Sequence, residues 1–399
     1  MITSEIVVVG AGIVGLSAAR ELLRRGAGKV VVLDKEEATG KHASGRNSGV
    51  LHAGIYYSPG TAKAATCLAG NRLMRAFCRE HGLPLLECGK VVVAKDEQEL
   101  PRLKALYERA KTSGTEVALI DEKELADIEP QAKTRGQAIF SPLTAVVDPK
   151  AILHRMLAEL RADPRAEVIL GARVIGPAGP GKLATSLGLV QYHRLVNAAG
   201  AFADRLAQAY GLGWRYRLVP FKGIYRELRP DTGRLVRGNI YPVPGPDTPF
   251  LGVHFTRSVS GRVYVGPTAI PALGRENYGI LKGLTWEAPE ILWRDAVLFA
   301  KDPTFRRLAL TEPRKYSARY FLADAAKLVK NLSPLDLAPA TKAGIRPQLV
   351  DTQTNSLVMD FLCLSGPAEL HVLNSISPAF TSSLALAPVL ADQVLALGG

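Results

Sequence analysis

The chain has 399 residues, 47% hydrophobic and 22% charged, which excludes wholesale disorder and leaves room for two domains. Its 50 basic and 37 acidic side chains give a net charge of +13, which admits nucleic acid, an anionic membrane surface or anionic small molecules. With no block of five or more successive basic residues and no basic–aromatic interleaving, nucleic acid is the partner not expected.

Four scattered cysteines without a Cys-x-x-Cys pair argue against zinc fingers and disulfide scaffolds and fit a reducing, cytoplasmic compartment; no metal site is expected. No apolar run reaches the roughly 18–20 residues of a membrane span. No leader is expected either, because a strand opens at Glu5.

The run Glu5–Val9 reads as a strand buried on both faces. Gly10-Ala11-Gly12-Ile13-Val14-Gly15 follows, then a helix to about Leu23 and a second strand, Lys29–Leu33, ending at Asp34. Gly10 permits the sharp turn, Gly12 lets a pyrophosphate approach the backbone, and Gly15 lets helix and strand pack closely. The helix N-terminus offers free N–H groups to phosphate, and Asp34 stands where a ribose diol is held. Asp34 disfavours a 2′-phosphate, so NADP is set aside while NAD and FAD both stay open.

Residues 39–57 are rich in Gly, Ser and Asn and form a long functional loop. A helix is expected from Pro59 to His81, a strand over Cys88–Ala94, a helix over Glu97–Lys111, a strand over Glu116–Ile120 and a helix over Asp121–Ile128. Asp148-Pro149 starts another helix, which runs to about Arg161. Strands follow at Glu167–Val174 and Tyr192–Val196, the latter entering the turn Asn197-Ala198-Ala199-Gly200. Short strands set off by Gly and Pro, around Pro220–Tyr225, Ile240–Pro244, Phe250–Phe255 and Arg262–Gly266, predict an antiparallel sheet. Residues 287–332 read as mostly helical; Leu357–Leu364 is a strand, and a last helix runs from about Thr381 to Leu397.

The run from Arg46 to Gly60, Arg-Asn-Ser-Gly-Val-Leu-His-Ala-Gly-Ile-Tyr-Tyr-Ser-Pro-Gly, resembles the signature loop of the L-2-hydroxyglutarate dehydrogenase/oxidase family, in the D-amino-acid-oxidase-like group. The resemblance recurs at Ile240–Pro244 and Phe250–Phe255, and over 371–383; it departs at Arg46, where the family usually has His. It implies FAD as cofactor and an α/β fold: a Rossmann-like FAD-binding domain (1–90, 145–220 and 335–399) with an α+β substrate domain (91–144 and 221–334) on the antiparallel sheet. Beside Gly10, Gly12, Gly15 and Asp34, it implies cofactor contacts from Lys35, Ser44, Arg46, Asn47, Ser48, Gly49, Val174, Ala198, Gly200, Gly344, Pro378, Ala379 and Thr381.

The implied reaction is oxidation of an L-2-hydroxy acid, most simply L-2-hydroxyglutarate to 2-oxoglutarate, by hydride transfer to flavin N5. Arg346, in a Gly-x-Arg-Pro element, is expected to grip the substrate carboxylate through its two-point fork. His52 and His371 lead as the base, with His254 behind them. Lys63, Lys222, Tyr225 and His254 are expected at the substrate. The electron acceptor is a quinone, oxygen or a partner flavoprotein. The alternatives are an FAD-dependent amine oxidase acting on glycine, sarcosine or D-amino acids, and a redox-inert FAD-binding subunit. The excess positive charge also suggests docking to the inner face of the cell membrane.

Overall fold

The computed structural model describes residues 2–245, 251–280 and 282–398; the expected strand residue Phe250 lies outside them. Strand β1 (Ile2–Val9), helix α1 (Ile13–Arg24) and strand β2 (Val30–Asp34) form the expected nucleotide-binding unit. Residues 6–9 of β1 and 30–33 of β2 are buried on both faces, which is why they read as unbroken apolar runs. Helix α2 (Ala62–Glu80) follows, its first turn capped by Thr61, which accepts from the Ala64 amide at 3.2 Å. Beyond it come strand β3 (Lys90–Val93), helix α3 (Leu100–Thr112) and strand β4 (Gln137–Ser141). Helix α4 (Pro149–Ala162) starts where Asp148-Pro149 predicts, with the Asp148 carboxylate accepting from Lys150 N–H at 2.9 Å.

Strands β5 (Ala166–Leu170) and β6 (Gly188–Asn197) complete the parallel core. The single strand expected over Glu167–Val174 is two: the chain turns at Gly171, where φ is +76°, and Val174 opens a separate strand, Val174–Pro177. Next are β7 (Tyr216–Leu228), β8 (Asn239–Pro242), β9 (His254–Arg257) and β10 (Val263–Gly266), then helix α5 (Ala288–Lys301). The chain closes with β11 (Leu337–Asp351), β12 (Glu369–Asn374) and α6 (Ala379–Leu395).

In the first sheet β12, β6, β1, β2 and β5 lie side by side in parallel, and α1, α2, α4 and α6 contribute to the core on one face. The second sheet has ten strands, antiparallel except where β3 runs parallel to β8. The mixed α/β architecture is as expected. The domain boundaries do not follow the sheets, however. The break set at 220–221 falls inside β7, and β11, assigned to the FAD part, is β7's antiparallel partner in the second sheet. The sequence marks a short strand only around Pro220–Tyr225 and none over 337–351, yet both strands run across the junction.

Helix α6 lies against α2 with almost no space between the backbones: a Cβ on Gly70 would come within 2.3 Å of the Thr381 carbonyl oxygen. Gly70→Ala is expected to cost about 1–3 kcal/mol as the helices are forced apart. Chemical denaturation measures it; an unchanged midpoint would show that the contact relaxes freely.

Candidate active site

A cavity of about 1040 Å³ opens between the two sheets, lined by the glycine-rich turn, the loop of residues 40–48, and β7 and β11. Gly10, at φ +109°, lies so close to the 197–200 turn that a Cβ there would stand 2.4 Å from Ala198 O. A Cβ on Gly15 would meet the Gly10 carbonyl oxygen at 1.9 Å, so α1 and the turn touch as the motif predicts. Both carboxylate oxygens of Asp34 accept backbone N–H groups, from Ala11 at 2.7 Å and Glu36 at 2.8 Å, and fix the turn's shape. Ser44 Oγ accepts from Ile13 N–H at 3.0 Å, setting a hydroxyl at the start of α1. Asn197 Oδ1 accepts from Ala199 N–H at 3.2 Å and holds the second turn.

This turn, the open backbone at Gly12 and the N-terminus of α1 fit an adenine dinucleotide with its pyrophosphate at the helix end. Lys35, Glu36, His42 and Glu276 converge near it. The Lys35 ammonium donates to Glu276 at 2.6 Å and also to Glu36, so it supplies the positive charge among these acids. Lys35 and His42 hold the Glu36 carboxyl down at about 2, against burial.

Arg46 braces the loop. Its Nε donates to Lys41 O at 2.6 Å, its Nη1 to Ala343 O at 3.2 Å, and its guanidinium lies 4.1 Å from the centre of the Tyr278 ring. Gly344 leaves room for this, since a Cβ there would be 3.2 Å from Arg46 O. Asn47 Oδ1 accepts from Gly49 N–H at 2.8 Å, and Gly49 takes φ +78°. Gly15 and Gly49 shape the walls without lining the cavity, whereas Ser48, Val174, Gly200, Pro378, Ala379 and Thr381 line it.

The reactive end gathers His52, His254, Arg346, Lys63 and Tyr225, all of which line the cavity. His52 is held through its backbone: its N–H donates to Thr381 Oγ1 at 3.2 Å and its carbonyl accepts from Asn71 Nδ2 at 3.2 Å. Its ring Nδ1 is buried with no hydrogen-bond partner among the described residues. Burial, then the charges of Lys90 and His254, push the imidazole down to about 3, so it is a neutral base across the physiological range. His254 is buried and pushed down to about 4; its Nδ1 lies 2.9 Å from Gly252 O, and its ring stacks on Tyr241 at 3.9 Å. Burial draws Arg346 down to about 10, with nearby Tyr57 acting the other way. Lys63 is pushed to about 7 by burial and by Arg346, against Asp360; its ammonium donates to Met359 O. Burial raises the Tyr225 phenol.

Two expected site residues are elsewhere. His371 sits on β12 inside the Rossmann half, fully buried, with Nδ1 3.0 Å from Asn197 Nδ2 and its ring 5.3 Å from Tyr210. It pairs with Asn197 across the parallel sheet, so it is part of that core and does not line the cavity. Lys222 points away from the cavity lining and donates to Asn277 Oδ1 at 3.0 Å and Gly279 O at 2.5 Å. Sequence reasoning also passed over Tyr57, Tyr241 and Asp360, which line the cavity, and Lys90 beneath it. Tyr57 stood inside the quoted loop, and its phenol among the spaced glycines Gly54 and Gly60 was the available signal.

Residues 5–393 match the model of the FAD dependent oxidoreductase family. The L-2-hydroxyglutarate dehydrogenase of Escherichia coli K12 is 34% identical over 398 residues, spanning 98% of this chain and 93% of that protein. The mitochondrial L-2-hydroxyglutarate dehydrogenase of Nematostella vectensis is 35% identical over 415 residues, spanning 98% and 90%. The chain belongs to the L-2-hydroxyglutarate dehydrogenase family of FAD-dependent oxidoreductases. Its cofactor is FAD, and it acts on a CH–OH group. In fold it is similar to the FAD-bound L-α-glycerophosphate oxidase of Mycoplasma pneumoniae, with a TM-score of 0.76 at 20% identity over 99% of this chain and 95% of that one. Among the described residues no helix is long and apolar enough to cross a membrane.

Because His371 is a core residue, His371→Gln is expected to leave flavin reduction within about threefold while lowering unfolding free energy by about 1–3 kcal/mol. Stopped-flow reduction and denaturant melts separate the two effects; a hundredfold loss of rate with intact stability would return His371 to the reactive set.

Proposed function

We propose that this chain oxidises L-2-hydroxyglutarate to 2-oxoglutarate. The observation that carries the reading is the meeting, in one buried cavity, of two cations and a neutral imidazole: Arg346, Lys63 and His52. Two cations match the two carboxylates of a hydroxy dicarboxylate. Arg346 grips C1 through its planar fork, and Lys63 holds the far carboxylate. His52 takes the hydroxyl proton as C2 loses hydride. FAD, when bound, supplies the two-electron acceptor. Burial of His52 keeps it unprotonated at rest, and the Thr381 and Asn71 contacts fix its backbone while the ring stays open to substrate. An amine substrate such as glycine carries one carboxylate and leaves Lys63 without a purpose, which favours the hydroxy acid.

Anaerobic titration tests this. L-2-Hydroxyglutarate is expected to bleach the flavin absorbance, and glycine, sarcosine and D-alanine are not; bleaching by an amine alone would overturn the reading. His52→Gln is expected to slow reduction by about 10²–10⁴-fold. Normal reduction in that variant would remove His52 from the base role.

We further infer peripheral contact with an anionic membrane, with a quinone as the acceptor that such contact supports. Helix α5 buries Ile291 and Leu298 on one side yet presents Leu292 (52% exposed) and Trp293 (65%) on the other, next to Trp286 (83%). Exposed Lys282, Lys301, Arg306 and Arg307 flank this segment in the chain, and Arg306 donates to Phe299 O and Ala300 O at the end of α5, a charge pattern that fits a lipid surface bearing negative charge. The holoenzyme is expected to sediment with phosphatidylglycerol-containing vesicles at low salt and to be released by Trp293→Glu. Retention by neutral vesicles alone, or no sensitivity to Trp293, would count against it.

A further inference from the structure

Lys90 is the buried group for which the reaction has found no use. It lies on β3, paired with Asn239 of β8 and Ser141 of β4, and is 1% exposed. Its Nζ has no hydrogen-bond partner among the described residues. It sits instead between two aromatic rings, 4.5 Å from the centre of Tyr56 and 5.1 Å from the centre of Tyr241. Both rings line the cavity from the other side, and Tyr241 also carries the stacked His254.

The groups that face this ammonium are few. The loop after residue 50 contributes His52 and Tyr56, α2 contributes the Cys67 thiol, β8 contributes Tyr241, and β9 contributes His254. Among the described residues no carboxylate is one of them. An unpaired lysine in such a place is unfavourable for folding, and a methionine would fill the same space without that penalty. What it supplies is a field.

We propose that Lys90 is a positioning residue: boxed beneath the cavity floor by Tyr56 and Tyr241, it takes the first proton of this cluster, and its charge adds to burial in keeping His52 and His254 as free bases. The physical ground is the order of basicities. An alkylamine in water is about four units more basic than imidazole, so Lys90 takes the first proton. In a desolvated cluster each further positive charge is disfavoured by the first, and the three groups titrate as a unit. Burial lowers all three and leaves their order intact, with Lys90 at about 7, His254 at about 4 and His52 at about 3. The same repulsion discourages a substrate proton from lingering on His52.

The role as the base's keeper rests on the hydroxy-acid reading, but the field does not, so the test reads the field without substrate. Ring nitrogen shifts of FAD-loaded, ¹⁵N-histidine-labelled protein are followed from pH 8 to 5.5, with His52→Gln and His254→Gln used only for assignment. In the unmodified holoenzyme both rings are expected to stay neutral throughout. In Lys90→Met at least one is expected to gain a proton within that range, with a melting temperature equal to or above that of the parent. Lys90→Gln serves the same measurement should Lys90→Met fail to load FAD. A histidine that titrates in the unmodified protein, or two that stay neutral in the variant, would overturn the proposal. Where L-2-hydroxyglutarate bleaches the flavin, the variant's reduction rate should fall at least fivefold between pH 8 and 5.5 while the parent's stays flat. If it bleaches nothing, the substrate reading fails and the histidine shifts still decide the role of Lys90.

Discussion

The pairing of β7 with β11 is the constraint on which the site depends. Its register runs from Tyr216 opposite Asp351 to Leu228 opposite Leu337, with Phe221 facing Arg346 midway. One end of the pair is fastened to the Rossmann half, where Leu218 and Leu349 pack with Ala203, Ala207 and Leu373. The other end broadens into the antiparallel sheet. Side chains alternate across a strand, so a slip of one residue would turn Arg346 out of the cavity and bring a neighbour in. The position of Arg346 in the cavity wall is therefore set by backbone hydrogen bonds along two long strands, a much stiffer device than a surface loop.

Around that cation the electrostatics have one theme. Lys63 and Lys90 are buried and Arg346 and Lys342 partly buried, and burial leads the causes that draw each of them below its ordinary value. Among the described residues Asp360 faces Lys63 and Asp148 faces Lys342, and each acts against burial. The cavity is thus prepared for anions that come from outside. This gives part of the net charge of +13 a location and a purpose. It also explains why the histidines there are neutral: in a desolvated space already favouring protonated amines, a second class of cation has no place.

The N-terminal unit was legible because every level agreed: β-branched strand, spaced glycines, helix and terminal acid follow one another within 34 residues. Asp148-Pro149 announced α4 by the same local chemistry. The signature loop marked His52 and the Gly-x-Arg-Pro element marked Arg346, and both line the cavity. What failed was long-range. His371 stands two residues from Leu373 in the core and eight before Ala379 at the cavity, and nothing in the local sequence says on which side of the sheet its ring falls. Lys222 lies beside Phe221 and Gly223, both of which line the cavity, and alternation along β7 turns it away. Lys90 reads as an ordinary charged residue leading a strand; only the approach of Tyr56 and Tyr241 from distant segments buries it.

The hydrogen bond from His52 N–H to Thr381 Oγ1 joins residues 329 positions apart. The parallel core has the same character, since β12 supplies its edge beside β6. During synthesis from the N-terminus, β1, α1 and β2 emerge first, but the edge of β6 and the tether of His52 wait for residues 369–381. The nascent chain therefore carries an open strand edge until β12 emerges, and the following helix α6 then brings the Thr381 tether to His52.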